Sequence, residues 1–591
     1  MTPFKIERLS FTQAAVSTWA PGDHRHTNWP VVYVLDDAAI RRTAPRGGRL
    51  NDVYVGESRN AAARMRQHLV ATDKSHLSTV RVIVDESFNK SVCLDLESYL
   101  IRMLAGDGSY RVLNRNDGIT ESDYFDRDRY QDSFLEVFEK LRQDGVFTRS
   151  IPEIENSDLF KLSPFKALSL DQAVAVEGIL DGLFEDLKSG MVSTTVVQGD
   201  PGTGKTVVAI YLLKLLVDIA NSVPAEDLDS DSRFSEFFAG EYRELFSEIR
   251  IGLVVPQQSL RNSIKKVFKK TPGLKPDMVM TAFEVGESDA HFDLLIVDES
   301  HRLNQRANQP SGVQNQKFRA ITEKLFGTND ITKTQLDWIQ SKSTHQILLL
   351  DAAQSVRPAD LPPEVLSHLT ESARAANRHY PLATQMRVQA GADYVGYVRG
   401  VLGITAGGLS QPTSPETFEG YDLRMFDSVA DMHSEIRRLD AEVGLSRLLA
   451  GYAWAWKTKT DKAAYDIEIP GVQLRWNSTQ TDWIASSTSL EEVGSIHTVQ
   501  GYDLNYAGVI IGPDLRYNAA AGRLIVDRAQ YFDKKGKENN KALGTIYTDD
   551  DLLRFITNIY AVLMTRGIRG TFVYVCDPAL REHLQQYIPN N

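Results

Sequence analysis

Eight consecutive residues, Gly199-Asp-Pro-Gly202-Thr-Gly204-Lys205-Thr206, narrow what this chain can fold into more than any other stretch. They follow the apolar Thr194-Thr-Val-Val and open onto Val207-Val-Ala-Ile-Tyr-Leu-Leu, so the run reads as a glycine loop between a buried strand and a helix. Gly199, Gly202 and Gly204 allow backbone N–H groups to converge on a phosphate. Lys205 sets a point charge against its outer oxygens, and Thr206 places a hydroxyl where Mg2+ (or Mn2+) would sit. A structural turn alone needs neither the lysine nor the threonine at this spacing.

Such a site needs an acidic second half. The apolar Phe292-Asp-Leu-Leu-Ile-Val supplies it, ending in Asp298-Glu299-Ser300-His301. Asp298 reads as the metal partner and Glu299 as the base that orients water. Further apolar runs, IGLVVP, HQILLLDA, YAGVIIG and GTFVYVC, alternate with amphipathic segments, which predicts parallel strands crossed by helices in an α/β fold. Polar stretches at 221–248, 304–318 and 532–543 read as surface insertions or mobile loops. Phe134, Leu135, Val137, Phe138 and Leu141 recur at helical spacing and predict a connecting helix. The resulting division is an N-terminal domain at 1–125, a helical linker at 126–160, a phosphate-binding domain at 161–360 and a further α/β domain at 361–591.

A content of 42% hydrophobic and 24% charged residues excludes disordered and collagen-like classes. No run of about 18 apolar residues occurs and the first residues lack an apolar signal core, so no membrane partner and no secretion are expected. Two cysteines, Cys93 and Cys576, suit a reducing compartment, and the expected location is cytoplasmic. Net charge is −12, yet residues 1–120 hold 16 Lys/Arg against 13 Asp/Glu (+3), leaving −15 for the rest. Nucleic acid would therefore be met by local basic surface rather than by the net charge.

In order, the motifs resemble a superfamily 1 helicase, and more narrowly the DNA/RNA helicase family related to the helicase-like region of Schlafen proteins, over about residues 165–580. The resemblance implies two RecA-like parallel-sheet motor domains using ATP and Mg2+ (or Mn2+). It makes Gln172 in Leu168-Ser-Leu-Asp-Gln172 the adenine reader, with Gly199, Gly202, Gly204, Lys205 and Thr206 cradling the phosphates. Gln354 in Leu349-Leu-Asp351-Ala-Ala-Gln354 becomes the γ-phosphate sensor. Arg387 in Gln385-Met-Arg387 and Arg566 in Thr565-Arg566-Gly567 become the arginines of the second lobe, and His497-Thr-Val-Gln500-Gly501-Tyr-Asp503 a nucleic-acid-contacting segment. His301 departs from the pattern, giving a DExH-like sequence more often associated with superfamily 2. An arginine from a second lobe stabilises charge on the γ-phosphate only when the cleft closes, which ties hydrolysis to domain movement. Trp454, Trp456, Trp476 and Trp483 are expected in the core rather than as base-stacking platforms.

The N-terminal segment carries a second constellation. Val31-Val-Tyr33-Val and Asp52-Val-Tyr54-Val-Gly56 read as strands, Arg64 and His68 share a helix face, Glu97 lies on a later amphipathic helix, and Asn114 follows. These residues resemble the GIY-YIG nuclease family over about 29–120, implying a small α+β domain. Tyr33, Tyr54, Arg64, His68, Glu97 and Asn114 would then be its site, and Glu97 its single metal-binding carboxylate. Val31 stands where that family has glycine, and 20 residues, 34–53, separate the two tyrosine segments, about twice the usual number. The insertion carries Arg41, Arg42, Arg46 and Arg49, either a phosphate-touching hairpin or a solvated loop. A base for water, a cation for the phosphorane and a metal for the leaving oxygen are what phosphodiester hydrolysis needs. Which tyrosine acts is left open.

The expected function is an ATP-dependent helicase or translocase coupled to a metal-dependent endonuclease acting on DNA, an architecture suited to bacterial defence against foreign DNA. A homo-oligomer or defence-system partner proteins would fit such a role. The alternatives are an ATP-switched nucleic-acid clamp that does not translocate, and a nuclease directed at RNA.

Overall fold

The computed structural model describes residues 4–37, 50–71, 73–115, 124–222, 233–246, 248–306, 312–351, 357–386, 388, 392–404, 412, 414–479, 483–499, 503–541 and 543–590. The chain divides into two compact units, one of Met1–Val174, Ile210–Ser247 and Ser263–Asp277, the other of Ala175–Ala209, Glu248–Asn262 and Met278–Asn591.

The first unit is built on β1 (Lys5–Ser10), β2 (Val31–Asp36), β3 (Asn51–Ser58), β4 (Thr79–Val84) and β5 (Tyr110–Val112), in the sheet order β1-β4-β2-β3-β5. All pairs are antiparallel except β3 with β5. β2 is an unbroken apolar run because both faces of the sheet are covered. Val31, Tyr33 and Leu35 enter a core with Ala61 and Met65 of the helix Ala61–Val70, while Val32 and Val34 enter another with Leu96 and Leu100 of the helix Lys90–Asp107. The helix Arg127–Gln143 puts Phe134, Val137, Phe138 and Leu141 into that second core, so it completes the unit rather than merely connecting it. Leu135, counted on the same stripe from spacing, is instead 46% exposed, because it falls off the face that the i, i+3, i+4, i+7 residues share. Arg41, Arg42, Arg46 and Arg49 of the insertion lie outside the described residues.

The second unit holds two parallel sheets, so the α/β expectation is met. The first comprises β6 (Ser193–Gly199), β7 (Ile251–Val254), β8 (Val279–Met280), β9 (Phe292–Val297), β10 (Ser343–Leu350) and β11 (His379–Leu382), ordered β11-β6-β10-β9-β7-β8 and wholly parallel. β11 lies beyond residue 360 yet completes this sheet against β6.

The second sheet comprises β12 (Asp422–Met425), β13 (Ser446–Ala450), β14 (Ile467–Ile469), β15 (Val472–Trp476), β16 (Glu492–Ser495), β17 (Leu504–Ile511) and β20 (Gly567–Val575), ordered β12-β20-β17-β13-β16-β15-β14, with only β14 antiparallel to its neighbour. A hairpin of β18 (Leu515–Asn518) and β19 (Arg523–Val526) stands apart. The helix Asp549–Met564 has ten consecutive buried residues, Phe555–Met564, and packs with Val509, Ile511, Val573 and Val575 of β17 and β20 in one core. Its exposed start is fixed by a capping box between Thr548 and Asp551. Two expected loops are corrected: the described part of 221–248 forms the helix Gly240–Phe246 and buries Phe234, Phe237, Phe238 and Phe246, and in 304–318 the described residues from Gly312 onward begin the helix Gly312–Phe326, whose Phe318 is buried against Trp338. A polar first turn hid a helix anchored by one aromatic residue.

Candidate nucleotide site and N-terminal cluster

The phosphate loop springs from the C-terminal end of β6, between strands on both sides. Gly202 (φ 88°) and Gly204 (φ 75°) take left-handed conformations that a side chain would strain. Lys205 opens the helix Lys205–Ala220 and its Nζ donates to the carbonyls of Gly199 (2.7 Å) and Asp200 (3.0 Å). Thr206 Oγ1 donates to Asp298 Oδ2 at 2.8 Å, which joins the two halves of the sequence motif.

Asp298 is fully buried at the end of β9; that burial, with the charge of Glu299 beside it, pushes its pKa up to about 6. Glu299 sits in the left-handed region at φ 48°, a conformation that costs energy for a residue with a side chain. Burial would raise its pKa, but the close pairing with His301, helped by Lys205 and Arg302, outweighs that and holds it well below the usual carboxylate range. His301 Nδ1 accepts the Asp351 N–H at 3.3 Å, and its Nε2 stands 3.1 Å from Glu299 Oε2. Ser300 Oγ also donates to the Leu349 carbonyl at 2.8 Å. The acidic pair on β9 is thereby fastened to the end of β10, where the expected γ-phosphate sensor begins. Gln354 itself lies outside the described residues.

Arg387 likewise lies outside them, but its neighbours dock on the phosphate loop: Gln385 Nε2 donates to Pro201 O at 2.7 Å and the Met386 N–H to Gly202 O at 2.8 Å. Arg566 is buried, 3% exposed, at the turn between the helix Asp549–Met564 and β20, where its carbonyl accepts the Leu504 N–H. Gln500, Gly501 and the His497 side chain lie outside the described set. Gln172 is buried in the first turn of the helix Leu170–Ser189, its Oε1 accepting the Ser169 N–H at 3.1 Å. Trp476 and Trp483 are core residues, and Trp454 and Trp456 pack half-buried against a core.

One residue of this site was missed from the sequence. Arg399, on the helix Ala392–Val401, donates from Nη1 to Asp200 Oδ1 at 2.7 Å and holds Nη2 3.7 Å from Asp351 Oδ1. An arginine within a helix, outside any motif, carried no signal.

In the first unit, alternation along β2 and β3 turns Tyr33 and Tyr54 to the side of the sheet that holds the helix Ala61–Val70. The Tyr33 hydroxyl lies 2.8 Å from His68 Nε2, and the Tyr54 ring stands 5.1 Å from the His68 ring and 6.3 Å from that of Tyr33. Burial pushes the Tyr33 hydroxyl well above its ordinary pKa; the nearby Tyr54 and Glu97 add to this, while the charge and hydrogen bond of Arg64 oppose it. The structure thus brings Tyr33, Tyr54, His68, Arg64 and Glu97 into electrical contact. Asn114 acts on the backbone: Oδ1 accepts the Val55 N–H at 3.0 Å and Nδ2 donates to the Val55 carbonyl at 2.8 Å, as a partner strand would. Gly56 lies under Tyr33, where any Cβ would strike the phenol.

The family described as Schlafen group 3, DNA/RNA helicase domain, matches residues 193–577. The chain belongs to this family. The span of the Schlafen helicase domain opens on β6 and closes just after β20, taking in both parallel sheets and the loop, acidic pair and arginines described above; residues 1–192 lie outside it. An uncharacterized protein of Saccharomyces cerevisiae, YPL245W, is 25% identical over 409 residues, 66% of this chain and 83% of the yeast protein. Among solved structures, the DEAD-box helicase Mss116 bound to ssRNA is similar at TM-score 0.31 and 12% identity, over 74% of this chain and 75% of that one. A structure of two Pif1 helicases at forked dsDNA is similar at TM-score 0.24 and 8% identity, over 66% of this chain and 91% of that one. Among the described residues, no helix is long and apolar enough to cross a membrane.

Proposed function

We propose that the chain is an ATP-driven DNA helicase or translocase whose N-terminal unit is a GIY-YIG-type endonuclease, used against foreign DNA. The observation that carries the motor half is the 2.8 Å bond from Thr206 to the buried Asp298, with Lys205 on the same loop. A hydroxyl beside a buried carboxylate is a hard-oxygen pair that suits Mg2+, which Thr206 and Asp298 would hold. When bound, the ion offsets charge shared between the β- and γ-phosphates. Glu299, kept ionised by His301, accepts the proton of the attacking water; Lys205 holds the outer phosphate oxygens; Gln354 and the arginines Arg387 and Arg566 respond to the γ-phosphate, and Gln172 to the adenine.

In the N-terminal unit, His68 is better suited than Tyr33 to take a proton, since burial raises the phenol further from neutrality. Arg64 stabilises the phosphorane. Glu97 would hold Mg2+ by its one carboxylate, and the ion would offset charge on the leaving oxygen.

The test is cleavage and strand separation of labelled forked DNA with ATP and Mg2+, in wild type, Lys205→Ala and Glu97→Ala. Lys205→Ala should abolish ATP turnover and unwinding, and Glu97→Ala should abolish cutting while ATP turnover persists. Cutting that survives Glu97→Ala removes the nuclease reading, and ATP-dependent binding without strand separation in wild type leaves a clamp. Stronger stimulation of ATP turnover by RNA than by DNA would favour RNA as substrate.

A further inference from the structure

Arg399 belongs to no motif, yet it is the described side chain that ties the second sheet's lobe to acidic groups of the phosphate site. Its helix is bolted to the second lobe: Tyr394 OH donates to Met564 O at 2.9 Å, Tyr397 OH donates to Tyr587 O at 2.6 Å, and Tyr394, Val398 and Val401 join the core of that sheet. From that base the guanidinium reaches Asp200, inside the loop, and Asp351, at the end of β10. Lys205 Nζ stands 4.0 Å from the other oxygen of Asp351, so one carboxylate lies between two cations from different lobes. The Arg399 and Asp351 side chains are only 13% and 3% exposed, so their attraction is less screened than at an open surface, whereas Asp200, 56% exposed, is the more solvated partner.

A loop-bound nucleotide places its terminal phosphate against Lys205. That phosphate carries roughly twice the charge of a carboxylate at neutral pH and presents oxygens to a planar guanidinium, so it competes with Asp351 and Asp200 for Arg399. A diphosphate lacks the group and leaves the arginine on its carboxylates. Resting on the reading of this loop as an ATP site, we propose that Arg399 is a further phosphate-binding residue, which distinguishes nucleoside triphosphate from diphosphate and links the terminal phosphate to the second lobe. Asp200 is its competing anion.

Binding of a non-hydrolysable ATP analogue and of ADP, each with Mg2+, to the full chain tests this in wild type, Arg399→Ala, Arg399→Lys and Asp200→Asn. Arg399→Ala should weaken the triphosphate analogue by about tenfold or more and leave ADP within about twofold, as expected of a coupling carried by one group. Arg399→Lys should recover part of the loss, because it restores charge without the fork. Asp200→Asn should tighten the triphosphate, having removed the competitor. Equal weakening of both nucleotides by Arg399→Ala, or no change in either, would overturn the assignment. A wild-type chain that binds neither nucleotide would instead overturn the ATP reading, an outcome distinct from any behaviour of the variants.

Discussion

Asp298 must be charged to hold a metal, and its burial opposes that charge. Its folded pKa of about 6 lies above the reference 3.8, so folding takes up a proton between those values, and this group's penalty to the folded chain is largest above pH 6, shrinks as pH falls from 6 and is gone below the reference value. Asp298→Asn, which keeps the shape without the charge, should therefore raise the melting temperature at pH 8 by the equivalent of roughly 1–3 kcal/mol, with the gain shrinking toward pH 5. Equal gains at both pH values would assign the effect to packing. Glu299 has the opposite sign. Burial works to raise its pKa, but His301 is the largest influence holding it down, and its ionised form persists far into acid. His301→Gln should release that hold, so the acid limb of the ATP-turnover profile should move to higher pH, and turnover at neutral pH should fall about 10–100-fold. An unmoved acid limb would detach His301 from the base.

Among the elements, the helix Asp549–Met564 has polar groups concentrated at its start, where Thr548 Oγ1 accepts the Asp551 N–H at 3.2 Å and Asp551 Oδ2 accepts the Thr548 N–H at 2.9 Å. Thr548→Ala should lower the stability of that lobe by about 1 kcal/mol, read as an earlier thermal transition. The pairing of β2 with β3 makes a different demand. Gly56→Ala should displace Tyr33 and, on the proposed nuclease reading, suppress cutting while ATP turnover is kept, a split that a general loss of folding could not produce. Legibility in the sequence follows the same contrast. β2, β6, β9 and β10 were readable because strands buried on both faces are continuous apolar runs. β11 was not, since His379-Tyr-Pro-Leu buries only Leu382 and includes a proline that is tolerable because the strand sits at the sheet edge. The loop glycines, Lys205, Thr206 and Asp298 were legible because their chemistry fixes their spacing, whereas Arg399 reaches the site through a tertiary arrangement that spacing does not encode. Asn114 could be picked out but not its work, because a side chain that imitates a strand partner looks in sequence like any polar residue.

At the scale of the molecule, the N-terminal unit does not end where its charge pattern does. Phe134, Val137, Phe138, Phe147, Ile154 and Phe165 complete the core that Val32, Val53 and Leu96 begin. A fragment of residues 1–125 should therefore be aggregated or molten, with exposed apolar surface and no dispersed NMR spectrum, while protease digestion of the full chain should spare this unit. A well-folded 1–125 fragment would show that the later helices are dispensable. The order of the first parallel sheet has a consequence for how the chain is made. β6 carries the phosphate loop, but its neighbours β10 and β11 come from far later in the sequence. On the ribosome the loop emerges without the strands that will flank it, and it stays unsupported until His379–Leu382 has left the exit tunnel. Until β10 emerges the chain carries an apolar strand with neither neighbour in place, and until β11 follows one of its edges stays open, so premature association at this stage is expected to limit yield rather than final stability.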